Sequence, residues 1–175
     1  MKTVIGLPLL LAFQLPSETP QQYFERGMEY YQARQFDSSL HYFDRAVTLD
    51  PNFHQAYFRR AKVKSKLNAL ESAYEDYSTA IALSPQPLYY NTRGINLAIR
   101  DQMQKAIQNY DAALALDSTY AQALLNKGVA QYHLGQYDAA CQNMQRAYQL
   151  GLKMALPFLA QECGYHPTTE PRKNF

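Results

Sequence analysis

The chain has 175 residues, of which 47% are hydrophobic and 18% charged, and its formal net charge is +2. That length fits one domain with a short leader, and the apolar share is enough to bury a core. Near-balanced charge with no basic run argues against a nucleic-acid partner, whose phosphates would demand a concentrated positive surface.

At the start, Lys2 precedes an apolar run from Val4 to Phe13. A spanning helix needs ~20 apolar residues, so no stable membrane span is expected. A charged residue followed by a short apolar run fits a secretory signal peptide, here residues 1–17. Ala12 and Ser17 are the small residues available for cleavage, and no Cys follows the run to carry a lipid anchor. Export to a periplasmic or extracellular space is therefore expected. A mis-chosen start codon, or a leader packed on the first helix, would leave a cytoplasmic chain instead.

Leu15 to Gln22 is a polar linker leading into a helix, with Pro20 in the first turn. The first helix runs to about Ala33, Arg34 and Gln35 turn the chain, and a second helix runs from Asp37 to Leu49. Asp50-Pro51 stops it, because proline disfavours helix before it and cannot continue the ladder. The scheme returns with helices near His54–Leu67 and Glu71–Leu83, ended by Ser84-Pro85, and again near Leu88–Arg100 and Gln104–Leu116. Ala121 to Gly151 forms a fourth pair, turning at Gly135, where glycine suits a left-handed helix end. Leu152 to Cys163 is apolar enough for a ninth helix covering the end of the stack, provided Pro157 lies in its first turn or bends it. His166 to Phe175 reads as a flexible tail.

These pairs are copies of one another. Ala147 recurs as Ala113, Ala80 and Ala46, and Gly128 as Gly94, Ala61 and Gly27, at intervals of 34, 33 and 34 residues. A period in this range marks stacked units that bury their apolar faces against each other. The pattern resembles the tetratricopeptide repeat, a 34-residue helix–turn–helix. Its first-helix aromatic is matched by Tyr23, Tyr57 and Tyr90, then Leu124, and its second-helix small residue by Ser39, Ala73, Ala106 and Ala140. The next large residue is Phe43, Tyr77, Tyr110 and Met144. The closing proline is Pro51 and Pro85, with Ser118 and Leu152 replacing it later. The resemblance implies an all-α fold, a right-handed superhelical solenoid of four helix–turn–helix hairpins plus a C-terminal capping helix. The units are 20–53, 54–86, 87–120 and 121–151, with the cap at 152–165.

In that family the first helices line a concave groove that holds a partner peptide or helix. The resemblance places on it Phe24, Met28 and Tyr31; Phe58, Lys62 and Lys66; Asn91, Ile95 and Ala98; and Leu125, Val129 and Tyr132. The expected partner is a protein or peptide with apolar anchors and some acidic character. A second reading is a self-associating assembly element, its groove filled by its own leader, tail or another copy. The co-chaperone subtype that clamps a C-terminal carboxylate is disfavoured, because Phe24, Met28, Lys62, Asn91 and Ile95 stand where its clamp residues would be.

No motif with a catalytic mechanism is present: no nucleophile elbow, phosphate loop or zinc-binding HExxH. His41, His54, His133 and His166 are scattered over different units, and Asp37, Asp44 and Asp50 have the spacing of caps and a solvated face. Neither an enzyme, nor a cofactor, nor a metal site is expected. Cys141 and Cys163 would fall at similar heights if the last helices pack antiparallel around Gly151. They then form either a disulfide, favoured by export and worth ~3 kcal/mol, or two buried thiols. Ala140-Cys141, Leu150-Gly151 and Cys163 also resemble the last unit and cap of a group of exported bacterial tetratricopeptide repeat proteins.

Overall fold

The computed structural model describes residues 18–164. The leader at 1–17 and the tail from His166 lie outside the described residues. Four hairpins follow in order: α1 (Pro20–Gln32) with α2 (Phe36–Leu49), α3 (His54–Lys66) with α4 (Leu70–Leu83), α5 (Pro87–Ile99) with α6 (Met103–Leu116), and α7 (Ala121–His133) with α8 (Tyr137–Gln149). The end of the stack differs from one continuous capping helix. A 3-10 turn, Lys153–Ala155, precedes a short α9 (Leu156–Glu162), with Pro157 in its first turn. Proline's fixed φ suits that position, and its missing N–H costs nothing there.

Each hairpin closes by the same device. The C-terminal turns of α1, α3, α5 and α7 are Schellman motifs, in which Gln35, Ala69, Gln102 and Gln136 donate back to the carbonyls of Tyr30, Lys64, Leu97 and Gln131, each at 2.9 Å. The motif needs one residue in the left-handed region. Arg34 (φ 59°), Asn68 (59°), Asp101 (58°) and Gly135 (75°) occupy it. At the first and third junctions between units an aspartate makes the turn: Asp50 Oδ1 accepts the Asn52 N–H, and Asp117 Oδ1 accepts the N–H and hydroxyl of Thr119.

Within each hairpin a small residue on the first helix admits a large one from the second. A Cβ added at Gly27 would sit 2.7 Å from the Phe43 ring, and one at Gly94 only 2.5 Å from Tyr110. At Gly128 it would meet the Ala140 carbonyl and Met144, both at 2.9 Å. The large residues are themselves buried, so the two helices interlock at this one level. Ser39 secures the crossing in the first hairpin by donating to the Gly27 carbonyl at 2.8 Å.

Between hairpins the same period carries a polar ladder. Arg60 bonds back to Asp44 at 2.8 Å and forward to Asp76 at 2.7 and 2.6 Å. Lys64 adds a second cation to the buried Asp76 carboxylate at 2.7 Å. Burial of Arg60 opposes its charge, but Asp76 and Asp44 outweigh that and hold its pKa above the ordinary value. One unit later Arg93 bonds Asn109 and Ser78, and one further Lys127 pairs with Asp111. Such ties fix the rotation of one unit on the next, which apolar packing alone specifies loosely.

Candidate partner-binding groove

The odd-numbered helices touch one another across units, α1 with α3 and α5 with α7, so they form the inner face of the stack. The side chains predicted to line this face divide into two sets. Met28, Tyr31, Lys62, Val129 and Tyr132 are half-buried, and Lys66 and Ile95 are exposed. Phe58, Asn91 and Leu125 are only 4%, 3% and 3% exposed.

That burial corrects the predicted groove lining. Phe58 stacks on Tyr89 at 4.3 Å between ring centroids and lies 5.8 Å from Tyr77, inside the second unit's core. Phe24 is half-buried and packs between Phe43 of α2 and Phe53, the residue that leads into α3. Asn91 spends its carbonyl on Asn126, accepting from its amide at 2.9 Å. Leu125 belongs to the fourth unit's core and forms floor rather than rim.

At the C-terminal half the inner face opens into a cleft of about 400 Å³. It brings together Ile95, Ala98, Leu125 and Val129 from the predicted set, and adds Ile99. Its far wall was not foreseen: Met154 and Phe158 come from the cap. Ile99, Met154 and Phe158 are 62%, 55% and 40% exposed, and with Ile95 they gather exposed apolar surface into one concavity. The available sequence signal was the spacing of Met154 and Phe158 by four residues, which puts both on one helical face.

The cap is tied down at three points. Ala155 and Leu159 are buried against the fourth unit. Glu162 faces the Tyr132 hydroxyl, and that carboxylate raises the phenol's pKa. Cys141 and Cys163 are joined by a disulfide, with Cα atoms 5.7 Å apart.

At the other half, Tyr31, Gln32, Arg34, Phe36 and Lys66 line an open cleft of about 490 Å³. Lys62 stands beside it with its ammonium 5.9 Å from the rings of both Tyr31 and Phe58. Burial lowers its pKa, and the charges of Arg59 and Lys66 lower it further. Among the described residues no carboxylate forms an ion pair with Arg59, Lys62 or Lys66. The described residues also contain no group of His, Cys, Asp and Glu that could hold a metal ion, and no helix long and apolar enough to cross a membrane. His54, one of the scattered histidines, bonds the Tyr89 hydroxyl at 2.9 Å and so ties α3 to α5.

Comparison with known proteins places this architecture. Family models of the tetratricopeptide repeat match residues 20–53, 54–87 and 121–150, and a further repeat model matches 97–135. Human tetratricopeptide repeat protein 13 is 26% identical over 141 residues, covering 78% of this chain and 16% of that protein. A DnaJ homolog subfamily C member 7 homolog from Dictyostelium discoideum is 22% identical over 154 residues, covering 78% of this chain and 29% of that protein. The chain thus spans less than a third of either relative. Among solved structures, PilW, a type IV pilus biogenesis factor, superposes with a TM-score of 0.74 at 25% identity, covering 82% of this chain and 68% of that one. MamA gives 0.73 at 20% identity, with 78% and 81% covered. YrrB, described as having an unusual peptide-binding site, gives 0.68 at 17% identity, with 77% and 70% covered. With repeat models matching well over half of the sequence and four interlocked hairpins of one design, this chain belongs to the tetratricopeptide repeat family.

Proposed function

We propose that this chain is a non-catalytic protein-interaction module that holds a segment of a partner protein along its inner face. The observation that carries this reading is the gathering of Ile95, Ile99, Met154 and Phe158, all exposed, into one open cleft. Exposed apolar side chains scattered over a surface are ordinary, but a concave cluster marks an interaction site. Four other exposed leucines do not compete for this role. Leu49, Leu83, Leu116 and Leu150 recur at one position, the end of each second helix or just beyond it, as part of the repeat.

The protein is proposed to act outside the cytoplasm. The Cys141–Cys163 disulfide supports this, since such bonds persist in oxidising compartments, as does the charged-then-apolar order at the N-terminus. Intact mass of natively expressed protein tests export: a mature start between about residues 13 and 18 is expected. A soluble chain retaining Met1 to Phe13 would defeat it.

The groove is tested by photo-crosslinking in the native source, with a photoreactive residue in place of Ile99 or, as control, Glu75 on α4. A discrete adduct from position 99 alone is expected, and adducts from both or neither would refute the groove. If the adduct is a second copy of this chain, and light scattering shows mass rising with concentration, the chain is instead a self-assembling element.

A further inference from the structure

We propose that the inner groove is chemically polarised and selects a protein segment with acidic residues at one end and bulky apolar residues at the other. The acidic end would lie on Arg59, Lys62 and Lys66, and the apolar end on the cleft walled by Ile99, Met154 and Phe158. This rests on the reading of the groove as a partner site and specifies its occupant.

The first observation is a contrast among cations. Arg26 pairs with Glu18, Arg60 and Lys64 with Asp76, Arg100 with Glu71, and Lys127 with Asp111. Four of these five cations thus tie one helix to another through a carboxylate, and Arg93 does so through Asn109 and Ser78. Arg59, Lys62 and Lys66 receive none among the described residues, although they are spaced three and four apart and stand on one face of α3. Lys62 is also half-buried, so its charge is partly desolvated, and its ammonium lies 5.9 Å from the rings of Tyr31 and Phe58. Like charges packed together without a counter-charge are destabilising in the free protein. An incoming carboxylate would relieve that repulsion, and in a half-buried setting the contact is stronger than at an open surface.

The second observation is the opposite character of the other end. The cleft between α5, α7 and the cap is lined mainly by aliphatic, methionine and phenylalanine side chains. The two ends are two first-helix spacings apart, from α3 past α5 to α7. At about 10 Å per spacing that is roughly 20 Å, which an extended segment covers in about six residues. The expected ligand is therefore a short segment with an acidic block and an apolar block about six residues apart. The cationic cluster would also attract phosphate, but the apolar end has no use for a nucleic-acid backbone, so a protein segment is the better fit.

The test is selection from a random twelve-residue peptide library on the full mature chain, followed by fluorescence anisotropy of the enriched peptides. Enriched peptides should carry the two blocks. Their affinity should fall about tenfold or more with Lys62→Glu and Lys66→Glu combined, and also with Phe158→Ala. Lys66→Gln, at an exposed position, should give a smaller loss and guards against misfolding of the charge-reversed variant. Raised salt should weaken binding to the wild type and hardly affect the variant lacking both lysines. Peptides enriched for apolar residues alone, and sensitive to Phe158→Ala but not to the lysines, would overturn the polarity while leaving the groove intact. Enrichment insensitive to every one of these variants would overturn the groove as well. Lysine-dependent binding of a twelve-nucleotide poly-dT probe as tight as that of the peptides would overturn the choice of a protein ligand.

Discussion

At the scale of single residues, the inner-face aromatics show where burial parts from periodicity. Phe58 shares its repeat position with Phe24, Asn91 and Leu125, and that position carries side chains of different depth in different units. Depth is set by what the neighbouring unit places opposite, here Tyr89 of α5, and a period does not reveal that partner. Phe58→Ala should therefore cost ~3–5 kcal/mol of stability in urea denaturation, as truncation of a large core aromatic does. Unchanged stability with weakened binding would return Phe58 to the groove surface. Tyr77 offers a second test. Burial pushes its phenol up to about 12, against an ordinary value near 10. Below about pH 10 the phenol is protonated in folded and unfolded chains alike, and its contribution to stability is fully present. Between about 10 and 12 the unfolded chain ionises first, so stability is lost as pH rises. Tyr77→Phe should flatten that alkaline decline, and an unaltered profile would contradict the burial argument. The hairpin turns give a third. Asp101 holds a left-handed backbone that costs a side-chain-bearing residue ~1 kcal/mol, so Asp101→Gly should stabilise by up to that amount. Gly135→Ala should destabilise by a similar ~1 kcal/mol, and thermal midpoints moving the other way would refute the strain.

At the scale of elements, the eight repeat helices were legible because three independent signals agreed. Apolar residues kept a helical period, proline or glycine stood at several ends, and the small–large pairs recurred in register. The cap was less legible. Its apolar content predicted a helix, but a 3-10 turn takes its first residues, and α9 begins one residue before Pro157. The polar ladder through Arg60, Arg93 and Lys127 was missed, although it keeps the same period as the glycines. Its members look like ordinary surface charges until the helices are packed. Seven residues are too few for a helix to persist alone, so α9 depends on its attachments. Replacing Cys141 and Cys163 by serine should lower stability by ~3 kcal/mol and loosen the wall that Phe158 and Met154 provide. Reduction of the wild type should reproduce this loss and leave the double variant unaffected. Equal midpoints for the reduced and oxidised wild type would show that packing alone holds the cap.

At the scale of the molecule, units that touch only their neighbours make stability local, and the two ends of the stack are not alike. Among the described residues, α1 fully buries only Gly27, whereas α7 buries six residues and α8 is bonded covalently to the cap. Amide exchange should therefore slow from α1 toward α8, and a flat or reversed gradient would refute this asymmetry. A stack sewn shut at one end opens like a zip, from the loose end. The loose end carries Tyr31, and the hairpin next to it carries Lys62 and Lys66. A bound segment would then be let go acidic end first, that block freed whenever the opening reaches α3, while its apolar block stays moored against the cap. Residence time would be governed by how often the stack opens as far as α3 rather than by the total surface in contact.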